Sequence, residues 1–338
     1  MMPIEIQHAD DPRVRAFCNL RDRDARDRAG LFIAESTRVV RRLLQYWPET
    51  VRQVLVDRKR WPGLQDAFAS VNEPIPRISG SIAKEDDPTR LSGIEVYIAD
   101  AEIVEAIAGF AVTRGAVAAC TRPEPSRFAP RAVLGPLSTR SRLTLIALEE
   151  VADLDNVGSI VRHAAGFGVD AVLLSPTCGD PLYRKSIRTS MGHVFSVPWT
   201  MSHEPWPAGL DEALAVLNSE AGAITSEDDP DSVDCAGREP SAANRIERIG
   251  VELTDEAKPV WSTEFASRSV FVFGSEMKGL SRRTLARCDR LVQIPMRSDV
   301  PSLNVATAAA IVLYERNRQL WLSDQPAPAP SSPNASPQ

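Results

Sequence analysis

The sequence predicts an α/β protein of two units, the second built on a largely parallel sheet with helices on both faces. Three observations predict it. Short apolar strands alternate with helical stretches from Leu143 to Leu320, a Pro-rich stretch separates them from a shorter mixed α/β segment, and 338 residues suffice for two cores.

Before Arg122, residues 31–34 read as a strand. Residues 36–46 read as a helix, because Val39, Val40, Leu43 and Leu44 fall at helical spacing. Strand pattern returns at 51–56 and 96–99. Arg122-Pro-Glu-Pro-Ser-Arg-Phe-Ala-Pro130, with Gly135-Pro136 beyond it, has a linker composition and marks the domain boundary. Further on, strands are expected at 143–148, 171–174, 193–197, 270–273 and 291–294, and helices at 157–167 and 303–320. Apolar strands separated by helices imply parallel pairing with both faces covered. The organisation is therefore a domain at 1–122, a linker at 123–140 and a domain at 141–322, with an acidic insertion at about 222–244. A tail at 323–338, rich in Pro, Ser and Ala, reads as disordered.

Hydrophobic content of 43% and charged content of 25% are ordinary for a soluble protein. The N-terminal residues lack the basic and apolar regions of a signal peptide, and the apolar run 305–314 is too short to span a bilayer. A cytoplasmic protein with no membrane partner is expected. Five scattered cysteines, none in a C-x-x-C pair, offer neither a disulfide framework nor a zinc site, so no metal is expected. The net charge of −6 is concentrated: residues 219–258 hold 11 acidic and 4 basic side chains, and the rest of the chain is close to neutral. Arg13, Arg15, Arg21, Arg23, Arg26, Arg28, Arg38, Arg41 and Arg42 give the N-terminal unit the opposite bias, fit either for phosphates or for a solvated face shared with Asp22, Asp24 and Asp27.

Three clusters sit at strand–helix junctions of the second unit. In Asn156-Val-Gly158-Ser-Ile160-Val-Arg162, Asn156 stands where a helix N-cap is expected. On a helical projection Gly158, Arg162, Ala165 and Gly166 share a face that a ligand or a partner backbone could approach. Phe273-Gly274-Ser275-Glu276-Met-Lys-Gly279-Leu280 ends a strand in a glycine followed by an acid, and Ser281 can cap the next helix. Ile294-Pro-Met296 leads through a short loop to Ser302-Leu303-Asn304-Val305, with Ser302 as the expected N-cap and Asn304 in the first turn. Each cluster alone is equally a capped helix or a tight turn.

Together and in this order, N-x-G-x-I-x-R, F-G-x-E-x-x-G-L and I-P-M with S-L-N-V resemble the motif set of the SpoU (TrmH-like) RNA 2′-O-ribose methyltransferases. Arg184-Lys-Ser-Ile-Arg188-Thr-Ser190-Met-Gly192 resembles the family's connecting segment. Upstream, Asp11-Pro-Arg-Val14, Leu20-Arg-Asp-Arg23, Gly30-Leu-Phe-Ile-Ala-Glu35 and Arg114-Gly115 resemble its accessory domain. The resemblance implies a C-terminal SPOUT α/β domain with a trefoil knot that holds S-adenosylmethionine, and a smaller N-terminal α/β/α RNA-binding domain. It implies a homodimer with the site at the subunit interface. It also implies a structured RNA substrate, ribosomal RNA (23S) ahead of transfer RNA. By motif position, Gly274, Ile294 and Leu303 would line the cofactor pocket, while Asn156, Arg162, Glu276, Ser302 and Asn304 would form the catalytic and positioning set. Arg21, Arg23 and Arg26 would contact RNA. In similar enzymes the arginine corresponding to Arg162 is assigned the base role.

Two other classes are weighed. Gly166-Phe-Gly168-Val-Asp-Ala171 matches a dinucleotide fingerprint, but it leaves a helix and enters a strand, the reverse of what pyrophosphate binding needs. A non-catalytic RNA-binding protein that retains the fold would not need Asn156, Arg162, Glu276 and Asn304 together.

Overall fold

A computed structural model describes residues 2–18, 30–69, 93–109, 115–218 and 245–324. The first unit holds strands β1 (Ile4–Glu5), β2 (Leu31–Glu35), β3 (Val51–Asp57), β4 (Glu95–Ala99) and β5 (Ala116–Thr121), in the order β1-β4-β3-β5-β2. β1, β4 and β3 run parallel, whereas β5 is antiparallel to both β3 and β2. Helices α1 (Thr37–Tyr46), α2 (Gln65–Ala69) and α3 (Ala101–Ala108) flank this sheet. The spacing read in the sequence is the packing face of α1: Val39, Val40, Leu43 and Leu44 are buried, and Ser36 caps the helix by accepting from Val39 N.

The second sheet has seven strands, β6 (Leu143–Leu148), β7 (Ala171–Leu174), β8 (Trp199–Met201), β9 (Glu247–Val251), β10 (Lys258–Pro259), β11 (Arg268–Phe273) and β12 (Arg290–Gln293). Their order is β10-β12-β9-β11-β6-β7-β8, and every pairing is parallel. β6 and β11 are buried along their whole length, as a strand covered on both faces must be. β12, last in sequence, lies between β9 and β10. Helices α4 (Pro130–Leu134), α5 (Leu154–Gly166), α6 (Arg184–Thr189), α7 (Ala208–Asn218), α8 (Arg282–Leu285) and α9 (Val305–Ser323) complete the unit. No helix among the described residues is long and apolar enough to cross a membrane.

Residues 193–197 do not form a strand: His193–Phe195 is a 3-10 turn, and the edge strand β8 follows it. The apolar run there is a packing face, with Val194, Phe195 and Val197 buried against the first unit, and an apolar run alone does not distinguish the two. The Pro-rich stretch is folded rather than extended. Pro125–Phe128 and Pro130–Leu134 are helical turns that begin on proline, where a missing N–H costs nothing, and Val133, Leu134 and Leu137 are buried. Phe128 stacks on Trp199 with centroids 4.0 Å apart, and Trp47 packs on Phe195 at 5.2 Å. A single apolar cluster therefore runs from α1 and β2 into β7, α5 and the 193–197 turn.

The stripe Ala306, Ala309 and Leu313 on α9 is core, packed within the chain. The opposite face of α9 is the open one: Tyr314 and Trp321 are each 62% exposed, with Ile311 and Leu322 beside them. Residues 222–244 and Arg21, Arg23 and Arg26 lie outside the described residues, as does the tail beyond Asp324.

Candidate active site

In a parallel sheet the carboxyl ends of the strands share one edge, and ligands bind outside it. The segments that leave β6, β9, β11 and β12 at this edge are Glu149-Glu150, Glu252-Leu253, Gly274–Leu280 and Ile294–Met296. The N-terminal turns of α5 and α9 close the arrangement from the side.

Both helix starts differ from expectation, and the difference builds the site. Asp153, not Asn156, caps α5, accepting from Asp155 N at 2.9 Å and Asn156 N at 3.0 Å. Asn304, not Ser302, caps α9, accepting through Oδ1 from Ala306 N at 2.9 Å and Thr307 N at 3.2 Å. Asp, Asn and Ser are near-equal caps, so sequence alone does not choose among neighbours. With its backbone served by Asp153, Asn156 turns its amide outward. It accepts from Asn304 Nδ2 at 2.8 Å through Oδ1 and donates through Nδ2 to Glu276 Oε1. Three predicted site residues from three segments are thus joined in one polar chain. Each amide has a donor and an acceptor in use, which fixes its orientation.

Glu276 stands on a tight turn in which Ser275 bridges Gly279 and Gly279 N donates to Ser275 O at 2.9 Å. Gly279 has a φ of +64°, the left-handed region glycine enters freely. A Cβ on Gly274 would lie 2.1 Å from the Gly279 carbonyl carbon and 2.3 Å from Leu280 N. Gly274 therefore lets the turn close on itself. It is not among the residues lining the cavity described below. Two carboxylates hold the far limb of the turn. Glu252 accepts from Leu280 N at 2.7 Å, and buried Glu149 accepts from Ser281 N at 3.0 Å and Thr284 Oγ1 at 2.8 Å. Sequence reasoning missed both: Glu252 lies inside the acidic stretch 219–258, and Glu149 follows a strand without a distinguishing motif.

A cavity of about 120 Å³ opens at this edge, lined by Val251, Leu253, Ile294, Met296, Leu303 and Ala308, with Glu252, Gln293 and Ser302 as its polar members. Predicted residues Ile294, Leu303 and Ser302 therefore meet here. Leu253 is 49% and Leu303 36% exposed, large apolar side chains with little protein over them.

Arg162 is separate from the polar chain. It lies six residues beyond Asn156 on the same helix, about 9 Å along the axis. Its side chain is exposed and has no ion-pair partner among the described residues. The neighbouring His193 imidazole is pushed down to about 4, by burial first and then by the charges of Arg42 and Arg162. Gly158 does not face a ligand: a Cβ there would meet Ser186 O at 2.7 Å, so α6 occupies that part of the small-residue face.

The SpoU rRNA Methylase family profile matches residues 143–314, half of the chain. An uncharacterized tRNA/rRNA methyltransferase of Mycobacterium bovis is 34% identical over 319 residues, covering 93% of this chain and 91% of its own length. This chain belongs to the SpoU family of RNA methyltransferases. The 23S rRNA (guanosine-2'-O-)-methyltransferase RlmB of Acinetobacter baylyi is 28% identical over 67% of the chain and 79% of its own length. Among solved structures, the AdoMet-bound rRNA methyltransferase from Sinorhizobium meliloti superposes with a TM-score of 0.64 at 18% identity, covering 94% of this chain and 98% of that one. The SpoU methyltransferase AviRb from Streptomyces viridochromogenes in complex with AdoMet gives 0.63 at 22%, covering 92% and 98%. At these identities the likeness establishes the fold.

Proposed function

We propose that the protein transfers the methyl group of S-adenosylmethionine to a ribose 2′-hydroxyl of 23S ribosomal RNA. The observation that carries this reading is the Asn304–Asn156–Glu276 chain standing beside an apolar cavity at the carboxyl edge of a parallel sheet. The cavity fits part of such a cofactor. Its apolar walls suit a flat base, and its volume of about 120 Å³ encloses less than a whole ligand, so the rest would lie across the mouth over Leu253 and Leu303. Ser302, Gln293 and Glu252 offer polar groups to that remainder. When bound, S-adenosylmethionine supplies an electrophilic methyl on a sulfonium.

The chain's own residues then have to align a poor nucleophile and stabilise charge as it develops. Asn156, held on both sides, and Glu276 on its closed turn give a rigid polar wall. Arg162 donates to the 2′-oxygen and to an adjacent phosphate, since a guanidinium keeps its proton in proteins and is a forked donor, and the hydroxyl proton lost on transfer passes to solvent water. Asn304 and Ser302 position the ribose. A ribosomal target is supported by the relative named as a 23S rRNA methyltransferase and by a first unit whose α1 carries Arg38 and Arg42. The open apolar face of α9, with Ile311, Tyr314, Trp321 and Leu322, supports a homodimer in which Arg162 serves the partner's cofactor.

Titration calorimetry tests the cofactor half of this reading. Saturable one-to-one binding of S-adenosylmethionine per chain is expected, weakened when Leu303→Glu places a charge in the apolar wall. Folded protein that takes up neither S-adenosylmethionine nor S-adenosylhomocysteine would refute it.

A further inference from the structure

The first unit is docked on the second through α1. Arg42 donates from Nη1 to Met191 O at 2.7 Å. Met191 and Gly192 both have positive φ, 53° and 77°, so the chain turns sharply there and presents its carbonyl to Arg42. An added Cβ on Gly192 would touch Val39 Cα at 3.4 Å, which shows how closely the turn and α1 are packed. The His193–Phe195 turn packs against both α1 and α5, and the charges of Arg42 from α1 and Arg162 from α5 both reach His193, as that of Arg38 reaches Arg42.

We propose that Arg38, Arg42 and Arg162 form one composite phosphodiester-binding site, built jointly by the two units, that grips the RNA strand next to the reacting nucleotide. The proposal rests on the functional reading above and adds two residues of the first unit to the substrate site. Arg38 and Arg162 are exposed and have no ion-pair partner among the described residues, while Arg42 uses one of its five N–H groups on Met191 O. Other arginines of the region are spent: Arg41 pairs with Asp66 at 2.6 Å and Arg184 with Glu35 at 3.4 Å. Burial lowers Arg42, with Arg38 adding to the effect, and His193 is lowered by Arg42 and Arg162. Among the described residues, no carboxylate is named among the groups that shift Arg42 or His193. Like charges held together by the docking of two units repel one another, and successive phosphates, each bearing one negative charge, relieve that repulsion. Fixing the strand at a junction locked by packing also sets its register against the transferred methyl.

The test is filter binding of in-vitro-transcribed 23S ribosomal RNA by the full-length protein over a salt series. The plot of log affinity against log salt should lose about one unit of slope for each arginine removed. Arg38→Gln and Arg38→Gln/Arg42→Gln should show this, with affinity for the pair reduced about tenfold, the scale of two solvent-exposed ion pairs. KM for RNA should rise with kcat nearly unchanged, and calorimetric binding of S-adenosylmethionine should be unaffected. Arg41→Gln, whose guanidinium is engaged with Asp66, should keep the wild-type slope. Arg38 is exposed, so the single variant reports on binding even if Arg42→Gln loosens the junction. Wild-type slope and affinity in both Arg38→Gln and the double variant would overturn the composite site. Wild-type protein that bound no RNA at any salt would instead overturn the functional reading on which it stands.

Discussion

Replacing Arg162 by alanine is expected to lower methyl transfer about 10²–10³-fold, the scale for losing one preorganised donor at developing negative charge. The fold should not notice. Arg162 is exposed and has no ion-pair partner among the described residues, and surface substitutions of that kind stay within about 0.5 kcal/mol. Affinity for S-adenosylmethionine should be unchanged, because Arg162 is not among the residues lining the cavity. Single-turnover transfer of a labelled methyl group, with calorimetry alongside, separates the two effects. Lysine at the same position tests the role itself. It keeps the charge but loses the planar fork, and it gives up a proton more readily than arginine when desolvated. A forked donor is not replaced by lysine, so Arg162→Lys should be nearly as slow as Arg162→Ala. Near-wild-type turnover, with a pH profile displaced to follow a lysine, would instead make residue 162 a general base.

Gly274→Ala is expected to do comparable damage by a different route. The new Cβ would sit 2.1 Å from the Gly279 carbonyl carbon and 2.3 Å from Leu280 N, both backbone atoms with no side chain to swing aside. Relief requires opening the Ser275–Gly279 bridge. Overpacking of this kind costs about 1–3 kcal/mol, visible as a lower melting temperature. It also moves Glu276 away from Asn156 Nδ2 and disturbs Leu280, whose N–H is held by Glu252. Turnover should therefore fall at least about tenfold, below that of Glu276→Ala in the same assay, because the whole turn is displaced and not one carboxylate. Wild-type turnover and melting temperature in Gly274→Ala would show that the turn closes in some other way and is not part of the site.

These two positions mark how far the sequence could be read. The alternation of apolar strands and helices after Leu143 was enough for a parallel sheet, because a strand buried on both faces has little choice but continuous apolar residues. The three motif clusters fell at the carboxyl edge because each was a strand end or a helix start. What the sequence did not reveal depends on tertiary contacts. Nothing local distinguishes Asp153 from Asn156, or Asn304 from Ser302, as the cap; the choice is made where the two asparagine amides meet across the site. Gly158 reads as a place that a ligand or a partner backbone could approach, and the backbone of α6 takes it, while Gly274 stands where only a glycine lets the turn close. The apolar residues 193–197 could be a strand or a packed turn, and Trp47 and Phe32 of the first unit decided for the turn.

The proposed methylation of a ribose 2′-hydroxyl in ribosomal RNA can be read directly in vitro. Its most direct test is to incubate the purified protein with S-adenosylmethionine and unmodified 23S ribosomal RNA, then map 2′-O-methyl groups by their resistance to alkaline cleavage. A new protected linkage is expected at one defined nucleotide, absent without S-adenosylmethionine and strongly reduced with Arg162→Ala. Methylation found on a base, or no protected linkage in any RNA although the protein binds S-adenosylmethionine, would contradict it.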